Sequence, residues 1–120
     1  MISGFLGDEN AILFQIEFIA SDGLILPVDA MLDTGFSAYL AINNQDIDAL
    51  GWTYIKQEPM STARGEAEFK LYLGRVQVDG QEFEIPVHVG EDLPEVLFGR
   101  QWLANRRLIV DMLVGELTLG

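Results

Sequence analysis

One aspartate occupies a position where chemistry is possible. Asp33 follows an almost continuously apolar run and precedes Thr34 and Gly35. The apolar run predicts a buried strand, and the glycine permits a tight backbone that another group can approach closely. The pattern therefore predicts a loop that holds the Asp33 carboxylate forward. Such an acid is either a turn former, because aspartate bonds its own backbone at turns, or a catalytic group. The three residues alone favour the turn.

A second motif lies far downstream, where residues 97–100 read Leu-Phe-Gly-Arg. Together with residues 33–35 it resembles the retropepsin-like aspartic proteases, in which one apolar strand runs into Asp-Thr-Gly and a later one runs into Gly-Arg before a short helix. The resemblance covers most of the chain. It implies an all-β fold, a closed barrel-like half-domain with one or two short helices, and a single domain over residues 1–120.

The resemblance also implies an activity, an aspartic endopeptidase that needs no cofactor. Two carboxylates must act on one water, yet the sequence contains a single Asp-Thr-Gly. In the family the second carboxylate comes from a second copy of the chain, in a homodimer whose two Asp-Thr-Gly loops meet on a two-fold axis. Asp33 would then be the catalytic acid or base. Thr34 would join the two loops through its hydroxyl, and Gly35 would offer its backbone to a peptide or protein substrate.

Further site residues are implied by the same resemblance. Those expected to contact substrate are Phe36 and Ser37 after the motif, and Ala63, Arg64 and Gly65 at the tip of a predicted hairpin. Gly99 and Arg100 would give structural support. Viral members carry an acid where this chain has Ser37, and that acid pairs with the arginine of the second motif. Arg100 is therefore expected to lack this partner.

Two other functions remain open. The chain could be a catalytically silent domain of the same fold that binds peptides or assists assembly, or a structural β-barrel whose Asp-Thr-Gly is a turn. Inhibition by pepstatin-type compounds and acid-dependent peptide cleavage would belong to the protease alone.

The composition of the chain excludes several kinds of chemistry and argues against several kinds of partner. The chain has no cysteine, which rules out disulfides and thiolate chemistry. Nineteen acidic and seven basic residues give a net charge of −12, which argues against nucleic acid and anionic membranes as partners. No run is long and apolar enough to cross a bilayer, and no basic segment precedes an apolar one near the start. We expect a soluble, cytoplasmic protein without a metal site.

Periodicity predicts about nine short strands and two short helices. Residues 12–19 alternate as a strand with one buried face, and residues 24–32 predict a strand covered on both faces. Pro59 is expected to break the next long strand, and Gly74 to mark a bulge or bend. His88, the sole histidine, is expected to be solvated or hydrogen-bonded, and Trp102 to pack in the core.

Overall fold

Strands make up most of the protein, a computed structural model that describes residues 1–62 and 65–120. Within these residues the strands are β1 (Ile2–Ser3), β2 (Phe5–Leu6), β3 (Ile12–Ile19), β4 (Ile25–Asp33), β5 (Leu40–Asn43), β6 (Thr53–Thr62), β7 (Gly65–Val78), β8 (Gln81–Gly90), β9 (Val96–Gly99), β10 (Leu108–Asp111) and β11 (Glu116–Leu119). The α-helix α1 is Ile47–Leu50, and 3₁₀ turns cover Asp8–Asn10, Asn44–Asp46 and Arg100–Leu103.

Six of the strands close into a barrel. Their order is β3-β4-β9-β5-β8-β7, and β7 returns to pair with β3 through Phe18 and Val76. β4 with β9 and β5 with β8 run parallel, while β5 and β9 are antiparallel. Closure satisfies the backbone groups that an open edge would leave unpaired. The predicted all-β, barrel-like fold is confirmed.

Aromatic side chains fill the centre of the core. Phe14, Phe98 and Trp102 are each at most 1% exposed, and the Phe98 ring lies 5.6 Å from that of Phe14 and 5.5 Å from that of Trp102. The buried indole N–H of Trp102 donates to the backbone oxygen of Tyr39 at 3.0 Å. Its polar atom is thus satisfied, as a buried indole requires. The expectation that Trp102 is a core residue is confirmed.

Local signals predicted several strands and turns correctly. β3 buries Phe14, Ile16 and Phe18, as its alternation predicted. Asp79 and Gly80 join β7 to β8 with φ of 55° and 74°, the left-handed pair that a two-residue hairpin of matching twist requires.

Strand β4 is not covered on both faces. Ile25, Pro27 and Asp29 are exposed, and the fully buried position is Ala30. The exposed residues alternate with partly buried ones, so one face of the strand lies toward solvent from Ile25 to Asp29. An apolar run therefore does not by itself show that a strand is central.

The prediction for Pro59 was wrong, and of the two alternatives for Gly74, a bulge or a bend, the structure excludes the bulge. Pro59 does not break β6, because β6 lies at the edge of the sheet and pairs with β7, where a missing N–H is tolerated. Gly74 is not a bulge, since it stays in register with Ile85. A Cβ there would lie 2.6 Å from Cγ2 of Val87, so close packing explains the glycine. The irregularity lies instead between Tyr54 and Lys56.

The chain ends form a second sheet of order β1-β11-β10. β11 lies in the middle and buries Leu117 and Leu119. The short β1 and β2, each two residues long, were not predicted, because so short a segment carries no periodicity. Among the described residues, no helix has the length and apolar character needed to cross a membrane.

Candidate active site

The two motifs meet at one point of the barrel. Asp33 is the last residue of β4, and the parallel pairing of β4 with β9 places it opposite Gly99. Residues far apart in sequence therefore lie side by side where two parallel strands end. Both strands end at the same edge of the sheet, so the loop after Asp33 and the 3₁₀ turn after Gly99 begin next to each other.

The Asp33 loop, residues 33–37, holds the carboxylate with its own backbone. The amide of Gly35 donates to Oδ1 of Asp33 at 2.9 Å, and the amide of Phe36 donates to the backbone oxygen of Asp33 at 3.1 Å. The Asp33 side chain stays partly exposed. Among the described residues no hydrogen bond reaches Oδ2, so one carboxylate oxygen is fixed and the other has no protein donor. A Cβ on Gly35 would lie 3.2 Å from Oδ1, so the glycine permits this close approach.

The second motif holds the loop from the other side. The backbone amide of Arg100 donates to the oxygen of Phe36 at 2.9 Å, and its Nη1 donates to the oxygen of Thr34 at 3.1 Å. Gly99 donates through its amide to Tyr39 at 2.8 Å. Arg100 therefore has a backbone oxygen as its partner, which is why the loop keeps its place although Ser37 carries no charge.

Solved structures share the overall fold. The EIAV protease in complex with the inhibitor HBY-793 superimposes with a TM-score of 0.67 at 17% identity, covering 87% of this chain and 97% of that one. A retropepsin-like aspartic protease from Rickettsia conorii superimposes with a TM-score of 0.61 at 26% identity, covering 98% of this chain and 86% of that one. The chain has a retropepsin-like fold. The predicted resemblance is thereby confirmed.

Sequence comparisons add nothing to this assignment. No family model matches the chain, and no curated protein matches it either. The assignment of the retropepsin-like fold therefore rests on the three-dimensional arrangement of the strands.

The other predicted site residues of the retropepsin-like domain occupy different environments. Thr34 and Ser37 are exposed on the Asp33 loop, whereas Phe36 is buried. Gly65 is an exposed residue that begins β7 with φ of 102°. The remaining two residues predicted to contact substrate, Ala63 and Arg64, lie outside the described residues.

Within the part of the chain that the structure describes, His88 is neither solvated nor hydrogen-bonded, contrary to the sequence-based expectation. It is 4% exposed, and neither ring nitrogen has a hydrogen-bond partner among these residues. The Oε1 atom of Glu58 lies 3.5 Å from Nε2, too far for a good hydrogen bond. Burial lowers the pKa of His88 below its ordinary value, and the Glu58 carboxylate raises it by less. The sequence did not predict the contact between His88 and Glu58, because the two residues lie on different strands.

The described residues contain no group of three histidine, cysteine, aspartate or glutamate side chains that could hold a metal ion. Two open clefts of 630 and 470 Å³ lie elsewhere. The larger is lined by both chain ends with Arg106 and Arg107, and the smaller by Asn43, Asp92 and their neighbours. Neither cleft includes the Asp33 loop, so the size of a cleft does not identify the site in this single chain.

Proposed function

We propose that the protein is an aspartic endopeptidase that acts as a homodimer through paired Asp33 carboxylates. The observation that carries the proposal is the position of Asp33 at the end of β4, with Oδ1 held by the Gly35 amide and the side chain still partly exposed. The likeness to a protein named as a retropepsin-like aspartic protease supports it.

The chemistry needs one ionised and one protonated carboxylate. Two carboxylates held close share a proton, because the second ionisation meets a like charge. The ionised Asp33 takes a proton from a water while the water oxygen bonds to the peptide carbonyl carbon, and the protonated Asp33 of the other chain donates to the carbonyl oxygen. As the C–N bond of the tetrahedral species breaks, the Asp33 that took the water proton gives it to the leaving nitrogen. The other Asp33 takes a proton back from a hydroxyl of the tetrahedral carbon, so the products are an amine and a carboxylic acid and the pair returns to its starting state.

A homodimer supplies the second carboxylate. The sequence holds one Asp-Thr-Gly, and a two-fold axis beside the Asp33 loop would bring the partner's copy to the same water. Thr34 is exposed at this loop, so its hydroxyl is available to a second chain. β11 pairs with both β1 and β10, so a partner that adds a strand to the terminal sheet would pair with β1 or β10.

The direct test of the activity is cleavage of a mixed peptide library in mild acid, with and without a pepstatin-type inhibitor. We expect defined cleavage products that disappear when the inhibitor is present. Binding of peptides without any cleavage at concentrations where the chain is dimeric would support the silent binding domain instead.

Replacing Thr34 with alanine should weaken the dimer and leave each protomer folded. The backbone oxygen of Thr34, which accepts from Arg100, is kept in the variant, whereas the exposed hydroxyl is lost. Loss of one or two hydrogen bonds across the axis corresponds to roughly a tenfold rise in the dimer dissociation constant. Sedimentation over a range of concentrations measures this constant. Thr53→Ala, at an exposed threonine of β6, is the matched control; equal constants for the two variants would contradict the role of Thr34.

A further inference from the structure

His88 lies where three parts of the fold meet. It is on β8, and its ring makes edge-on contacts with Phe36 of the Asp33 loop and Phe69 of β7, at centroid distances of 5.4 and 5.8 Å. Glu58 of β6 is the third contact, 3.5 Å from Nε2. Glu58 and Phe69 are opposite each other in the β6–β7 hairpin (Thr53–Thr62 and Gly65–Val78). One imidazole therefore joins this hairpin to the loop that carries Asp33.

Glu58 provides the one charge near this ring among the described residues. Its carboxylate is partly exposed and also pairs with Nζ of Lys56 at 3.4 Å, so its negative charge is shared and screened. The other elements present uncharged groups to His88. These are Phe36 from the loop, Phe69 and the register partner Leu71 from β7, and the register partner Ala41 from β5.

A proton on this imidazole would be poorly accommodated. An imidazolium has two N–H donors, yet among residues 1–62 and 65–120 Nδ1 has no acceptor and Nε2 has one beyond good hydrogen-bond distance. Burial of a charge without such partners is costly. The lowered pKa of His88 has the same origin, since desolvation outweighs the opposing effect of Glu58.

We propose that His88 is a positioning residue: uncharged, it packs the β6–β7 hairpin against the Asp33 loop, and its protonation in mild acid loosens that contact. The inference goes beyond the proposed function. The contact exists in the single chain, whether or not the protein cleaves peptides.

The direction follows from linkage. The pKa of His88 is lower in the packed state than in a state where water reaches the ring, so packing contributes stability above the ordinary histidine value. That contribution is lost as the pH falls through the lowered value. The loosened population rises by up to about tenfold for each pH unit between the ordinary and the lowered value, and it levels off below the lowered value, where both states hold the proton. The Asp33 loop thus becomes more mobile in the acid range where paired carboxylates are expected to work.

The test uses the fact that the chain has one histidine. An NMR titration of the His88 ring carbons gives its pKa without overlap, and amide hydrogen exchange over the same pH range, corrected for intrinsic rates, reports loosening. We expect a pKa below the ordinary histidine value. We also expect exchange at Phe36 and Phe69 to become faster as the pH falls below the ordinary histidine value and to level off once packed His88 is protonated, with little change at Phe14 in the core strand β3.

Two variants separate this role from a merely structural one. His88→Leu removes the titrating group and should abolish the acid-induced increase in exchange at Phe36 and Phe69. Glu58→Gln removes the nearby charge and should shift to lower pH, by the same amount, both the His88 titration and the pH at which the loosening levels off, which keeps the test decisive if His88→Leu fails to fold. Glu66→Gln, at an exposed acid of the same hairpin, should leave both unchanged.

Several results would overturn the proposal. These are a His88 pKa at or above the ordinary value, exchange that does not level off where His88 titrates, equal acid loosening in His88→Leu, or a levelling-off pH that Glu58→Gln does not move. Exchange that rises by the same factor at Phe14 would show a loss of global stability in place of a local contact. None of these measurements requires cleavage, so a failure here is distinct from a failure of the proposed activity.

Discussion

Replacing Asp33 with asparagine should abolish peptide cleavage and leave the fold intact. Asparagine keeps an oxygen that can accept the 2.9 Å hydrogen bond from the Gly35 amide, so the loop loses little. The amide can neither take a proton from water nor donate one to a carbonyl oxygen as a carboxylic acid does. Because both protomers change, we expect a loss of at least about 10³-fold in cleavage rate, in the range of general acid and base catalysis.

Asp29→Asn is the matched control for this substitution. It makes the same chemical change on the same strand, at an exposed position four residues before Asp33. Cleavage should continue at about the parent rate. If Asp33→Asn cleaved as fast as Asp29→Asn in samples of verified mass, the catalytic assignment of Asp33 would be wrong.

Replacing Gly99 with alanine should destabilise the protein severely. A Cβ at this position would lie 1.9 Å from the backbone oxygen of Ala38 and 2.8 Å from Cδ2 of Phe36. The obstacle is mainly backbone, held by hydrogen bonds from Gly99 to Tyr39 and from Gln101 to Ala38. It cannot move without breaking the contacts that position the Asp33 loop. We expect a loss of about 3 kcal/mol in the free energy of unfolding, at the upper end for overpacking.

Denaturant unfolding measures this loss, with Gly7→Ala as the control. A Cβ on Gly7 would also be close to a neighbour, 2.7 Å from Cδ1 of Leu13, but that atom is the end of a flexible side chain. Gly7→Ala should therefore cost less than about 1 kcal/mol. Similar losses for the two variants would mean that the backbone at Ala38 yields easily and that Gly99 does not hold the loop rigidly.

Much of the fold could be predicted from local patterns. The alternation in β3 predicted its buried face, and the Asp79–Gly80 pair predicted a hairpin turn. Both could be predicted because side-chain direction and backbone φ depend on residues nearby in the sequence. The position of Asp33 followed from two motifs taken together. The register that sets Asp33 opposite Gly99 is a parallel pairing between distant strands, and local periodicity could not show it.

The errors share a physical cause. Pro59 is tolerated because β6 is an edge strand. His88 is buried because Phe36 and Phe69 arrive from other parts of the chain. In each case the outcome depends on which strand or side chain lies next to the residue in space. A sequence pattern describes the residue's own element and not that neighbour.

The most direct test of the paired-carboxylate account is a mixing experiment. Increasing amounts of the Asp33→Asn protein are added to a fixed amount of parent protein, and the cleavage rate is measured after subunits have exchanged. A mixed dimer has one carboxylate at the axis, so the rate should fall as parent chains are drawn into mixed dimers, whereas added Asp29→Asn should not lower it. A rate that stays constant, however much Asp33→Asn protein is added to exchanging dimers, would show that one chain acts by itself and would contradict the account.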